Sequence, residues 1–212
     1  MKPFAALLDR LLHSPQRNAK LRLLADYFQT TPDPDRGYAL AALTGGLDFA
    51  HAKPALIREL AMRRSDPVLF ALSYDFVGDL AETTALIWPP ATGSGTVRLR
   101  EVVERLQATA KAGQARLIEA WLDQLEPDGR WALLKLITGG LRVGVSARLT
   151  KLALAEFSDT SVEEIEELWH GLEPPYGALF AWLEGRAPKP ELGRKPVFRP
   201  LMLASPLEDE DK

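Results

Sequence analysis

Three observations predict an all-α fold. Apolar residues recur at helical spacing almost everywhere, strand-like alternation is nearly absent, and Gly, Pro and Ser clusters punctuate the periodic runs at helix-length intervals. Together they predict a compact helical body of about a dozen helices. Phe4, Leu7, Leu8, Leu11 and Leu12 follow the i, i+3, i+4 rule and define a first helix, Leu21, Leu24 and Phe28 a second, and Val102, Val103 and Leu106 a later one. Stops are marked by Ser14-Pro15, Pro32-Asp33-Pro34, Gly45-Gly46, Pro89-Pro90 with Gly93 and Gly95, Pro127 with Gly129, and Gly139-Gly140. Asp66-Pro67, Ser161 and Pro174-Pro175 read as helix starts, and Ser146 as the N-cap of a helix from Ala147 to Phe157. The helical body is expected over residues 1–186. From Ala187 to Leu207 five prolines interrupt any periodicity, and Glu208-Asp209-Glu210-Asp211 follows, so 187–212 reads as a linker.

Composition limits the chemistry. With 46% apolar residues in 212, the chain can build a core. It has no run of 18 apolar residues to cross a bilayer and no leader pattern at Met1, which predicts an intracellular, cytoplasmic protein without a membrane partner. The absence of cysteine excludes disulfides and thiolate metal sites, and His13, His51 and His170 are isolated, so no metal site is expected.

The chain also repeats itself. Shifted by 94 residues, Arg36 to Leu47 lies on Arg130 to Leu141, with Thr-Gly-Gly-Leu at the end of both, and eight identities fall in the 27 pairs from Leu21/Ala115 to Leu47/Leu141. The first helix of each half matches one residue out of step. Two pseudo-symmetric halves, about 3–90 and 97–186, are expected. The copies diverge just past the shared motif, where Asp48-Phe49-Ala50 stands against Arg142-Val143-Gly144. Glycines allow close backbone approach, an arginine pairs bidentately with an anion, and a following helix N-terminus adds N–H donors. Leu136 to Ser146 thus carries the makings of a phosphate clamp, and its counterpart does not.

Nucleotide motifs fail on this loop. Gly139 and Gly144 have P-loop spacing, but Val145-Ser146 stands where Lys-Ser/Thr is needed and a helix, not a strand, precedes; the Rossmann spacing is also absent. A net charge of −3 and pI of 5.7 are unlike a uniformly basic domain. The distribution is uneven, however. Residues 129–155 hold five cations (Arg130, Lys135, Arg142, Arg148, Lys151) and no carboxylate, while 156–173 hold seven carboxylates and no lysine or arginine. Such runs are either solvated helix faces or a site for the nucleic-acid backbone. No tryptophan lies between Leu136 and Lys151, which favours duplex backbone contact over stacking on splayed bases.

The run Leu133 to Ser146, with its helix followed by Leu141-Arg142-Val143-Gly144, resembles the signature of the N-terminal DNA-binding domain of ATP-dependent DNA ligases. Phe4 with Leu7-Leu8, Arg17-x-x-Lys20, Gly78 to Glu82, Val102-Val103 with Leu106, and Phe198 to Ala204 match in the expected order. The resemblance implies an all-helical, monomeric domain that grips duplex DNA at a nick through phosphates and the minor groove, in repair, replication or recombination. It places the phosphate-contacting loop on Gly139, Gly140, Arg142, Gly144 and Ser146, with Arg148 and Lys151 as helpers. Arg17 and Lys20 are either further contacts or a solvated helix N-terminus. It also implies adenylation and OB-fold domains elsewhere in the same parent chain, where ATP and Mg2+ would serve nick sealing.

No cofactor and no catalytic residue are expected in the present sequence, because the Lys-x-Asp-Gly nucleophile motif of such enzymes is missing. Its nearest string is Glu126-Pro127-Asp128-Gly129, which reads as a turn and offers a carboxylate where a lysine must form the phosphoramide. The chain is therefore expected to end just before the catalytic domain. From another class, a helical-repeat scaffold docking a basic protein on the 156–173 face is the alternative, although solenoid units of about 20 to 50 residues usually recur at least three times.

Overall fold

The computed structural model describes residues 1–93, 96–158 and 160–191. Most of the expected linker, and with it the Phe198 to Ala204 match, lies outside the described residues. Twelve α-helices, and no strand, form among those described. The first six are α1 (Lys2–Leu12), α2 (Arg17–Thr30), α3 (Asp35–Thr44), α4 (Pro54–Arg64), α5 (Pro67–Val77) and α6 (Leu80–Ile87). The second six are α7 (Leu99–Ala108), α8 (Lys111–Gln124), α9 (Pro127–Thr138), α10 (Ala147–Ser158), α11 (Val162–Trp169) and α12 (Gly177–Leu183). None is long and apolar enough to cross a membrane.

The local reasons are those of the sequence. The α1 stripe of Phe4, Leu7, Leu8 and Leu11 is buried, Asp66 caps α5 by accepting from the Val68 and Leu69 N–H groups, and Ser161 caps α11. Two boundaries differ from expectation. Pro127 to Gly129 is not a turn but the first turn of α9, because a proline at the first helical position sacrifices no bonded N–H. After the Pro174-Pro175 pair, Tyr176 sits at φ 58, and α12 begins only at Gly177.

Helices α2 and α8 occupy the same stretch of the repeat, 94 residues apart. Helices α3 and α9 end on Thr44 and Thr138, and each is closed by a glycine in the left-handed region, Gly45 at φ 75 and Gly139 at φ 69. The packing is reciprocal between halves. Helix α2 lies on α10 and α4 on α8, α3 meets α10 and α4 meets α9, and α1 meets α9 as α7 meets α3. One contiguous cluster of buried apolar side chains, from Met1 to Leu183, therefore draws on both halves.

The arginine shared by the two repeats has a structural role. Arg36 is 4% exposed and donates from Nη1 to the Phe28 carbonyl at 3.1 Å; Arg130 is 2% exposed and donates from Nε to the equivalent Leu122 carbonyl at 2.7 Å. Each satisfies a carbonyl in the last turn of the preceding helix, where a cation also complements the helix dipole. Arg130 adds the Trp88 and Pro89 carbonyls, and Arg36 adds Asp33 and Glu184. Lys135, also buried, pairs with Asp79 at 2.6 Å and ties α9 to the N-terminus of α6. Two of the five cations of the 129–155 run thus belong to the interior.

Candidate nucleic-acid interface

The loop between α9 and α10 begins once Gly139 has turned the chain out of the helix. Val143, 3% exposed, anchors it in the core, as Phe49 at 4% anchors the corresponding loop of the first half. Val143 is flanked by two residues of positive φ, Arg142 at 47° and Gly144 at 66°, whereas no residue from 46 to 53 has one. For Arg142 this conformation costs about 1 to 2 kcal/mol, because its Cβ crowds the following carbonyl. Backbone strain of this kind concentrates where a loop must present particular groups.

Lys20 reaches the loop from α2. Its Nζ donates to the Val143 carbonyl at 2.7 Å and to the Gly144 carbonyl at 3.0 Å. Glycine is favoured at 144 by its positive φ, and a Cβ there would displace the Lys20 ammonium. Ser146 then caps α10, its Oγ accepting from the Leu149 N–H at 3.1 Å and its carbonyl from Thr150 at 3.0 Å.

These elements frame an open groove of about 850 Å³. Pro15, Arg17 and Lys20 come from the start of α2, Arg142, Gly144, Val145 and Ser146 from the loop, and Arg148, Leu149 and Leu152 from the first turns of α10. Four cations line it and no carboxylate does. Arg17, Arg142 and Arg148 are exposed and have no ion pair among the described residues. Two helices start at the groove, so the free N–H groups and positive dipole ends of both add to its potential. Leu149, Leu152, Val145 and Pro15 give it apolar patches between the charges.

Of the residues singled out in the sequence, Arg17, Lys20, Arg142, Gly144, Ser146 and Arg148 come together here. Gly139 instead serves as the cap of α9, and Gly140 lies beside the Arg142 guanidinium, whose Nε would be 3.9 Å from a Cβ added there. Lys151 is turned away toward α11, pairing with Glu166 at 2.9 Å and lying 5.5 Å from the centre of the Trp169 ring. The apolar lining was not foreseen, because Leu149 and Leu152 carry the same helical spacing as core residues.

The equivalent position in the first half is electrically closed. The exposed Asp48 accepts a hydrogen bond from Lys53 at 2.8 Å, and that bond together with the ammonium charge holds its carboxyl below the usual carboxylate range. An anion approaching that loop meets a carboxylate already paired with its own neighbour.

A family model described as DNA ligase N terminus matches residues 1–155, a span that runs from α1 into α10 and contains every residue lining the groove. No curated protein matches the chain. With the match covering well over half of the 212 residues, the chain belongs to the family of DNA ligase N-terminal domains.

Proposed function

We propose that this chain binds nicked duplex DNA as the N-terminal DNA-binding domain of an ATP-dependent DNA ligase, holding backbone phosphates in the groove between α2, α10 and the Arg142 loop. The observation that carries the reading is the convergence of two helix N-termini and three arginines that have no ion pair among the described residues, with no lining carboxylate, within the span that defines the family. Arg17, Arg142 and Arg148 are the phosphate ligands, supported by the N–H groups at the start of α10. Gly144 and Ser146 shape the loop and the cap, and Gly139 and Gly140 bring the chain out of α9 beside Arg142. Apolar patches between the cations suit deoxyribose. Contacts of this kind position a protein on a duplex without reading its sequence.

Nick sealing belongs to adenylation and OB-fold domains of the parent chain, which would use ATP and Mg2+ in repair or replication. The residues here do not fit nucleotidyl transfer. Glu126 is the N-cap of α9 with Pro127 next, so the nearest string to the nucleophile motif presents neither a lysine nor a loop.

The test is fluorescence anisotropy of a nicked duplex titrated with this chain across a salt series. Three neutralised phosphates give a slope of log K against log salt of about −2.7. A slope near zero, or no binding at low salt, would remove the proposal.

A further inference from the structure

We infer that Lys20 is a positioning residue that fixes the polarity of the Arg142 loop, turning two carbonyls inward so that the N–H groups of Gly144 and Val145 are left as anion donors beside Arg142. The inference rests on the proposed phosphate reading of the groove. Lys20 is 9% exposed as a residue, and its ammonium already commits two of its three N–H donors to the Val143 and Gly144 carbonyls, at 2.7 and 3.0 Å. A lysine spent in this way is poorly placed to be an independent phosphate ligand.

Its effect on the loop follows from peptide geometry. In a planar trans peptide the C=O and the N–H point in opposite directions. With the Val143 and Gly144 carbonyls held on Lys20, the N–H groups of Gly144 and Val145 point away from it, and neither has a protein partner among the described residues. Both N–H groups are thereby free on the side of the loop away from the ammonium, at and just after Gly144 with its φ of 66, and each can donate to an anionic oxygen. Were either peptide to flip, a carbonyl would face the phosphate and repel it.

Lys20 stands on the first helical half and the loop on the second, 123 residues on for Val143. The donor set is thus complete only when α2 is docked on α10. The Gln114 amide, at the equivalent place in the other half, also spans two carbonyls, those of Leu106 at 2.8 Å and Thr109 at 2.7 Å, but within its own half. It organises no corresponding loop.

A double-mutant cycle on nicked-duplex binding tests this, with Lys20→Met keeping the apolar stem and Gly144→Ala displacing the ammonium from the other side. Lys20→Met and Arg142→Ala each weaken binding by roughly ten-fold or more, the range for a lost hydrogen bond to a charged group. The two together weaken it little more than one alone, because both disable the same donor set. Gly144→Ala gives the same coupling to Arg142 and serves should Lys20→Met fail to fold. Multiplicative losses, about a hundred-fold for the pair, would make Lys20 an ordinary phosphate ligand and overturn the inference. If the wild-type chain binds no duplex, the functional reading falls separately, and the strut is read in the free protein by nitrogen-15 NMR. A Lys20 ammonium signal protected from solvent exchange in wild type and lost in Gly144→Ala supports the strut, and an unprotected signal in wild type refutes it.

Discussion

Replacing Arg142 by glycine separates what the residue does for the fold from what it does for binding. The side chain is exposed and makes no hydrogen bond or ion pair among the described residues, and the helix end before it is already closed by Gly139. Its backbone is held at φ 47, a region that costs an L residue about 1 to 2 kcal/mol and glycine almost nothing. Part of that relief is offset by the greater freedom of glycine in the unfolded chain, worth about 0.4 to 1 kcal/mol. Arg142→Gly should therefore leave stability unchanged or raise it by up to about 1.6 kcal/mol, a rise in Tm of at most about 6 °C for a domain of this size. Binding should move the other way. Losing a charge-assisted contact to phosphate costs about 1 to 3 kcal/mol, or about 5-fold to 150-fold in Kd. One fewer neutralised phosphate makes the salt slope shallower by about 0.9. Thermal melts and anisotropy titrations at several salt concentrations, on the same preparation, read both quantities. A variant with lower Tm and intact affinity would mean that Arg142 serves the helix end and not the ligand.

Three further outcomes are expected. Asp48→Ala, at the equivalent loop of the first half, should leave the salt slope unchanged or slightly steeper, since it removes a carboxylate and no cation; a shallower slope would place a phosphate contact there. Lys135→Met leaves Asp79 charged and partly buried without its partner, which should destabilise the chain by on the order of 3 kcal/mol in thermal or urea melts, whereas a loss below about 0.5 kcal/mol would mean that solvent replaces the pair. The Glu184 carboxyl is held at about 2 by its hydrogen bond from Arg36, opposed by burial and reinforced by Arg186. Its folded value lies below the ordinary 4.5, so its contribution is complete above that value and is lost as pH falls from about 4.5 through about 2. Glu184→Gln should accordingly flatten the acid side of the stability curve in that window, and an unchanged acid limb would show that the pairing carries no stability.

How much of this was legible in the sequence depends on the range of the interactions concerned. Helices such as α1 and α7 were legible because their apolar spacing is local, and the Gly45 and Gly139 ends because glycine is what a left-handed cap requires. Pro127 to Gly129 misled because the same residues that break a helix interior are tolerated in a first turn. Arg130 and Lys135 read as members of a basic run because their partners, the Trp88 and Pro89 carbonyls and Asp79, lie 41 to 56 residues away. Lys151 followed the same pattern, its carboxylate partner Glu166 standing on the next helix. The loop itself was legible from the contrast of Arg142 and Gly144 with Asp48 and Ala50, yet its hold on Lys20 was not, because that contact joins residues 123 and 124 positions apart.

Amide hydrogen exchange of the chain with and without a nicked duplex locates the bound DNA on the protein. Protection should concentrate at the start of α2, in the loop from 140 to 146 and in the first turns of α10, and fade as salt is raised. Protection centred on α5 or on the acidic face of α11, with residues 140–146 unaffected, would contradict it.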